Sequence, residues 1–388
     1  MPISMKNEAA IAGIGATKFS RNSGVSELAL ACEAVSNCLD DAGLAPGEVD
    51  GLVTYTLESN DEIEVARAVG LGDLTMYAKI NYGGGAAVGL IQQAAMAVAT
   101  GAAKNVVVWR AMNGRSGQRM GQGVSGNIIS SDLIHWSWYM AYGMLTPASW
   151  VAMIANTYMH RFGVTREHLA EVAIAQRDFA LNNPAAAGYG KPLTREEYMA
   201  SKRITESLCL YDCCQETDGG VALLITSTER ARDLRQKPAV IRGVTQASTR
   251  GQEQMTSFYR EELDRLPEME LAARRVYAMS GLGPEDIDAA CLYDAFTPEV
   301  IMQLESFGFC QRGEAKDFVA AGNLRLGGRL PNNTHGGLLS EAHSLGIGHI
   351  VEAVKQLRGS AGERQVGGAE IGVVTGWGDF GDGSIAIL

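Results

Sequence analysis

GLAPGEVD (residues 43–50) returns 238 residues later as GLGPEDID (residues 281–288), without a gap. Each copy carries the same punctuation: a Gly-Leu helix stop, a proline, an acidic turn, then an apolar run. An apolar-periodic segment precedes each, with Leu28, Ala31, Val35 and Leu39 before the first copy and Leu271, Ala272, Val276 and Met279 before the second. A strand-like segment follows each, GLVTYTLE (51–58) and AACLYDAF (289–296). One helix–turn–strand unit is therefore written twice.

The repetition continues outward. A glycine-rich turn opens a helix at NYGGGAAVGLIQQAAMAV (81–98) and again at NTHGGLLSEAHSLGIGHIVEAV (333–354), and a β-rich run follows each, NVVVWRA (105–111) and EIGVVTGWG (370–378). AAIAGIGATKF (9–19) is echoed by AVIRGVTQAS (239–248). Alternating strands and helices predict an α/β fold with mostly parallel sheets covered by helices. The boundaries that follow are a first half over 1–112 plus 205–235, an insertion over 113–204, and a second half over 236–388. Within the insertion, HWSWYMAYGMLTPASWVAM (135–153) is rich in Trp, Tyr and Met, and reads either as core packing or as an apolar lid over a greasy substrate. Helices are expected from Pro147 to Phe162 and from Arg166 to Leu181, and TDGGVALLITS (217–227) reads as a tight turn into a buried strand.

Composition bounds the function. The 388 residues carry 33 Lys+Arg against 44 Asp+Glu, a net charge of −11. That balance argues against nucleic acid or an anionic membrane as the main partner. The N-terminal MPISMKNEAA lacks the apolar centre of a signal peptide, and AAVGLIQQAAMAVATGAA (86–103) is too polar and short for a membrane span. Seven cysteines without a secretion signal or zinc-ligand spacing read as reduced thiols of a cytoplasmic protein without a metal.

In an open α/β architecture, ligands sit at strand carboxyl ends and helix N-termini. Here those ends are INYGGG (80–85), LYDAFTP (292–298), NTHGGLLSEAHSLG (333–346) and TGWGDFGDG (375–383). Gly83, Gly84 and Gly85 either form a packing turn or bring backbone N–H groups to a ligand. They lack the spacing of a dinucleotide or P-loop site, so NAD and ATP are excluded. Tyr293 serves as amphipathic packing or, with a neighbour's help, as an acid or base. His343 is either structural or the readiest proton carrier near neutral pH. His335 is a secondary candidate with an equal claim to a turn-stabilising role. Cys291, two residues before Tyr293, is expected on the same strand face.

The duplicated halves, the TDGG turn and the GG-x5-H-x2-G run (336–346) resemble the thiolase superfamily over essentially the whole chain, closest to its sterol-carrier/lipid-transfer-type branch through LYDAFTP, NTHGGLLSEAHSLG and the ending SIAIL. The resemblance implies a five-layered αβαβα fold, a homodimer and a CoA thioester substrate, with no cofactor beyond that CoA. The strand-like segment 76–82 is a candidate for pairing across the two-fold axis. Thiolases carry a nucleophilic Cys before the first-half helix, where this chain has NYGGGAA. They carry a second Cys near the carboxyl end, where it has TGWGDFGDG with Gly376 in that place. The Asn or His of N-E-A-F or H-D-C-F is Tyr293, and the His of G-H-P-x-G is kept as His343, with Ser344 replacing Pro.

Without a thiolate, acyl transfer has no acceptor. What survives is a site for a thioester enolate. The pattern resembles the steroid side-chain aldolases of that branch, which lack both cysteines and have YD-x-F. Their second tyrosine is His343 here. The resemblance implies retro-aldol cleavage of a β-hydroxyacyl-CoA to a ketone or aldehyde plus a shorter acyl-CoA. Tyr293 would take the β-hydroxyl proton, His343 would bind or protonate the enolate, and Gly83–Gly85 with Gly376 would complete the oxyanion site. It also implies a separate OB-fold/zinc-ribbon partner chain. Two alternatives stay open: a thiolase or acyltransferase, and a non-catalytic acyl-CoA- or lipid-binding subunit.

Overall fold

The computed structural model describes residues 5–80, 83–117, 119, 138–252, 258, 260–378 and 381–388. Parts of several motifs read above, namely Asn81 and Tyr82, residues 135–137, and Asp379 and Phe380, lie outside the described residues.

The two octapeptides adopt one conformation. Helix α1 (Glu27–Ala42) ends at Gly43 with φ 70°, whose N–H turns back to the carbonyls of Leu39 and Asp40. The counterpart helix Pro267–Ser280 ends at Gly281 with φ 75°, bonded to the Tyr277 carbonyl. In both, the following proline opens a short 3₁₀ turn, Pro46–Glu48 and Pro284–Asp286. Only glycine takes this left-handed cap at no steric cost, which is why the stop recurs as Gly-Leu.

The strands are β1 (Ala9–Ala16), β2 (Gly51–Tyr55), β3 (Met76–Ile80), β4 (Asn105–Asn113), β5 (Asp218–Ser227), β6 (Ala239–Val240), β7 (Gly243–Ala247), β8 (Ala289–Cys291), β9 (Gly372–Gly378) and β10 (Asp382–Ile387). They form two sheets, ordered β3-β2-β4-β5-β1-β6 and β7-β10-β9-β8. The run β2-β4-β5-β1 matches β8-β9-β10-β7 strand for strand, and the directions match too. β2 with β4 and β8 with β9 are parallel, while the next two pairings in each half are antiparallel.

The expectation of mostly parallel sheets is corrected by these directions. Each half closes with a returning strand. β10 follows β9 after three residues, far short of the dozen or more that a parallel crossover needs.

The remaining principal helices, in chain order, are α2 (Ala86–Thr100), α3 (Pro147–Phe162), α4 (Arg166–Leu181), α5 (Pro267–Ser280), α6 (Thr297–Ser306), α7 (Gly337–Ser340) and α8 (Ile347–Arg358). α2 and α8 lie between the sheets. Their side chains Leu90, Ile91, Ile350 and Val354 share one buried cluster with Val53, Val108, Val374 and Ala386 of both sheets. A helix covered on both faces must be apolar all round, as AAVGLIQQAAMAVAT is. α1 packs on the outer face of the first sheet, and α5 and α6 with the 148–209 region pack on the second. The layers are therefore α, β, α, β, α.

AACLYDAF is a strand only as far as Cys291, a second correction. Beyond it, side chains replace the ladder. The Leu292 N–H donates to Asn332 Oδ1 at 3.1 Å, the Tyr293 N–H donates to Thr375 Oγ1 at 2.8 Å, and Gln303 Nε2 donates to the Tyr293 carbonyl at 2.7 Å.

Candidate active site

A cavity of about 620 Å³ opens where the two halves meet, within the ~300–1,000 Å³ of small-molecule sites. Its floor is Gly83, Gly84, Tyr293, His343, Trp377 and Gly378. These come from the turn before α2, the end of β8, the loop between α7 and α8, and the end of β9, so the four strand and helix ends read from sequence converge.

Gly84 and Tyr293 are shaped for each other. A Cβ on residue 84 would overlap ring atom Cζ of Tyr293 and the Trp377 carbonyl, and would stand 2.5 Å from the phenol oxygen. The phenol therefore fills the space that a side chain at this turn would take. Gly376 is packed the same way from the other half: its Cβ would overlap the Gly84 carbonyl and lie 2.7 Å from Ser384 Oγ. Gly85 and Gly376 stand behind the cavity floor, not on it, and Gly85 is backed by the Asp382 carboxylate.

His343 lines the cavity with its backbone pinned by an N–H donated to Thr217 Oγ1 at 3.0 Å. Burial, then the Arg110 guanidinium, pull its imidazole down to about 4, so it is neutral at pH 7. Trp377 is fixed through its indole N–H, 2.6 Å from the buried Glu268 carboxylate.

His335 is not in the cavity wall. It is buried, with Nε2 3.1 Å from Nδ1 of His349. This corrects its reading as a substrate-binding group: the 334–335 turn faces the core, because Asn183 Nδ2 donates to the His335 carbonyl at 2.8 Å.

Cys291 also stays in the core, among the side chains of α8. The thiols that do line the cavity are Cys213 and Cys214. They are held against the YDAF segment by a Cys214 N–H donated to the Ala295 carbonyl at 2.9 Å and by a backbone bridge between Cys213 and Phe296. Burial is the first cause that raises both thiols, and the Glu299 carboxylate pushes both in the same direction.

The mouth is cationic. Arg21, Arg115, Arg119 and Lys191 line it with Glu216, while Arg177 and Glu299 line the cavity as buried groups. Glu216 takes Arg115 at 3.3 Å and Arg119 Nε at 2.6 Å. Arg177 is buried, donates Nε to Ser340 Oγ at 2.9 Å, and lies over the Tyr211 ring at 5.6 Å. From the aromatic insertion, Thr146, Pro147, Ala148 and Val151 reach the wall. Trp138 and Tyr142 face solvent instead, at 67% and 84% exposed. Trp377 belongs to the TGWGDFGDG end already singled out, but no signal in the sequence marked Arg177 or the 213–214 thiols as cavity residues, because each reaches the site from a segment distant in the chain. Among the described residues, no cluster of His, Cys, Asp and Glu is arranged to hold a metal ion, and no helix is long and apolar enough to cross a membrane.

A duplicated αβαβα fold with its cavity at the junction of the halves defines a class, and family comparison agrees with it. The description "Thiolase, N-terminal domain" matches residues 9–229 and "Thiolase C-terminal domain-like" matches residues 249–388. The chain belongs to the thiolase family. Among its relatives, it is 55% identical over 355 residues to a steroid side-chain-cleaving aldolase of Thermomonospora curvata, covering 91% of each chain. It is 53% identical over 374 residues to the 17-hydroxy-3-oxo-4-pregnene-20-carboxyl-CoA lyase of Mycobacterium tuberculosis, covering 96% of each. The solved structure of the Ltp2-ChsH2(DUF35) aldolase superposes with a TM-score of 0.94 at 52% identity, over 99% of this chain and 98% of that one.

Proposed function

We propose that this protein is a carbon–carbon lyase that cleaves a steroid β-hydroxyacyl-CoA by a retro-aldol reaction, with 17-hydroxy-3-oxo-4-pregnene-20-carboxyl-CoA as the substrate to test first. The observation that carries the reading is the Gly84–Tyr293 pair: no Cys stands in the NYGGGAA turn before α2, and a phenol fills the space that a side chain at residue 84 would take. Thiolysis needs a thiolate at that place to hold the acyl group. The thiols that do reach the wall, Cys213 and Cys214, are kept protonated by burial.

The steps balance within the substrate. Tyr293, as phenolate, accepts the proton of the β-hydroxyl and afterwards returns it to Cα, so no net proton is gained or lost. The Cα–Cβ electron pair moves to the thioester as the carbonyl forms at Cβ, and the enolate is then protonated at Cα. For the named steroid the products are a 17-ketone and propionyl-CoA. His343, neutral at pH 7, fits a hydrogen-bond donor to the developing enolate oxygen better than a source of charge. The N–H groups at Gly83 and Gly84 complete the oxyanion site, with Gly85 and Gly376 packed behind them. The cationic mouth suits the phosphates of CoA, and no cofactor beyond that CoA is required.

The working unit in this reading is a cytoplasmic homodimer joined through β3, with a separate OB-fold/zinc-ribbon chain bound to it. The test is to co-express the chain with that partner, supply the named thioester, and follow steroid ketone and propionyl-CoA by mass spectrometry. The expected result is one ketone per propionyl-CoA, and at least a ~10²-fold loss in Tyr293→Phe. Wild-type turnover by Tyr293→Phe, or acetyl transfer to free CoA, would overturn the reading.

A further inference from the structure

Behind the cavity floor runs a line of buried polar groups that the mechanism above does not use. Asp294, next in the chain to Tyr293, is fully buried. Its two carboxylate oxygens accept the N–H groups of Leu338 at 3.0 Å and Leu339 at 3.2 Å, in α7. Oδ1 also lies 2.8 Å from Nε2 of His349, on α8. His349 Nδ1 is in turn 3.1 Å from His335 Nε2, and both rings are buried. Gly337 makes the approach possible: a Cβ there would overlap Asp294 Oδ2.

One proton arrangement fits the line, although the 2.8 Å contact of His349 Nε2 with Asp294 is not aligned as a hydrogen bond and His335 Nδ1 is left without a partner. With Nε2 protonated on both rings, His349 turns its N–H toward the Asp294 carboxylate and its bare Nδ1 toward the His335 N–H. A neutral His335 agrees with this, since burial and then the neighbouring His349 pull its imidazole well below the usual histidine range.

The carboxylate therefore ties together three segments. One is the β8 end that carries Tyr293, one is α7, which leads directly into the loop carrying His343, and one is α8. The backbone of Tyr293 is already held by Thr375 and Gln303. What Asp294 adds is the link from that residue to the His343 loop.

We propose that Asp294 and His349, continued by His335, are positioning residues that fix the phenol of Tyr293 and the imidazole of His343 relative to each other across the cavity. The proposal rests on the catalytic reading of Tyr293 given above. Misplacing a reacting group by about 1 Å can cost ~10²-fold in rate, and removing one partner of a buried charged contact leaves the other uncompensated.

The test uses the chain with its partner and the steroid thioester, comparing kcat and KM in Asp294→Asn, His349→Gln and His349→Ala, with Tyr293→Phe in parallel. Glutamine can still donate toward Asp294 and accept from His335, whereas alanine can do neither. The expected result is kcat about 10²-fold lower at unchanged KM in Asp294→Asn and His349→Ala, with most of the activity kept in His349→Gln. The Asp294→Asn/His349→Ala double variant should be no slower than the worse single one. Equal kcat in His349→Gln and His349→Ala would overturn the proposal, as would a lower Tm with kcat per folded molecule intact. If Asp294→Asn does not fold, the two His349 variants decide it alone. An inactive Tyr293→Phe beside fully active Asp294 and His349 variants refutes only the positioning line. A fully active Tyr293→Phe refutes the catalytic reading and this proposal together.

Discussion

The two halves share a sheet order and a turn, yet they bring different things to the cavity. On the cavity floor the first half gives glycine. Its turn before α2 is short, and Gly83 and Gly84 present backbone alone. The second half gives side chains, because its loop before α8 is longer and its β8 ends early, freeing Tyr293 and His343 from any ladder. The edges differ as well. β3 pairs with β2 over five residues, but its counterpart beside β8 is a single bridge, Ala290 to Asn332. Duplication supplied the frame, and chemistry entered where the copies stopped matching.

The sharpest way to break this division is to give the first half a side chain. Gly84→Ala puts a methyl group into the Tyr293 ring and the Trp377 carbonyl. Overpacking of this kind costs ~1–3 kcal/mol, and here the displaced group is the proposed base. Turnover of the steroid thioester should be abolished, with Tm lowered. Gly376→Ala should cost comparable stability, because its methyl meets the Gly84 carbonyl, and should reduce activity less because it does not touch the phenol. Equal activity in Gly84→Ala and wild type, measured by ketone release, would show that the fit of glycine to phenol is incidental.

The second half can be probed by pH. His343 is held at about 4, against an ordinary value of 6.5. In the window between them the unfolded chain binds a proton that the folded one refuses. Stability contributed by the neutral form is thus complete above about 6.5 and is lost as pH falls toward 4. The full effect is on the order of 3 kcal/mol. Urea melts from about pH 7 to about pH 4.5 should show a shallower slope in His343→Gln than in wild type, and identical slopes would place the imidazole in contact with water.

Much of this was legible in the sequence. The octapeptide pair announced the duplication, and the glycine stops and prolines located helices to the residue. The lack of thiol at NYGGG and the YDAF and EAHSLG motifs pointed to groups that share one cavity wall. The rest depended on how the chain leaves its strands. Cys291 and Tyr293 were expected on one face by the two-residue alternation of a strand, but β8 ends at Cys291, so the alternation fails just where it was applied. Strand direction escaped because β5 and β10 return to the sheet, and apolar content is the same for either direction. His349 gave no signal, since a histidine on an apolar helix looks like a surface residue until its neighbours are known.

A smaller effect is expected from thiol reagents, and it separates cavity shape from cavity chemistry. Cys213 and Cys214 line the wall, but burial raises both, and only thiolates react quickly. Iodoacetamide at about pH 7.5 should leave turnover largely intact over a time that alkylates a free thiol completely. Rapid, stoichiometric inactivation with label on either residue would return a condensing activity to consideration.

The smallest change in folding free energy is expected at the edge that only the first half keeps. β3 alternates half-buried and exposed residues, and Tyr77 is 61% exposed. A charge on such a residue blunts an edge against pairing, while a surface substitution usually moves the stability of the fold by no more than ~0.5 kcal/mol. Tyr77→Asp should therefore leave the monomer's secondary structure and the register of β3 on β2 unchanged, yet shift the sedimenting mass of the homodimer proposed above toward monomer. The equivalent charge in the second half has no edge strand to act on, since the partner of β8 there is the lone Asn332 bridge. A dimer that survives Tyr77→Asp unchanged in mass would mean that the halves differ at this edge for reasons other than assembly.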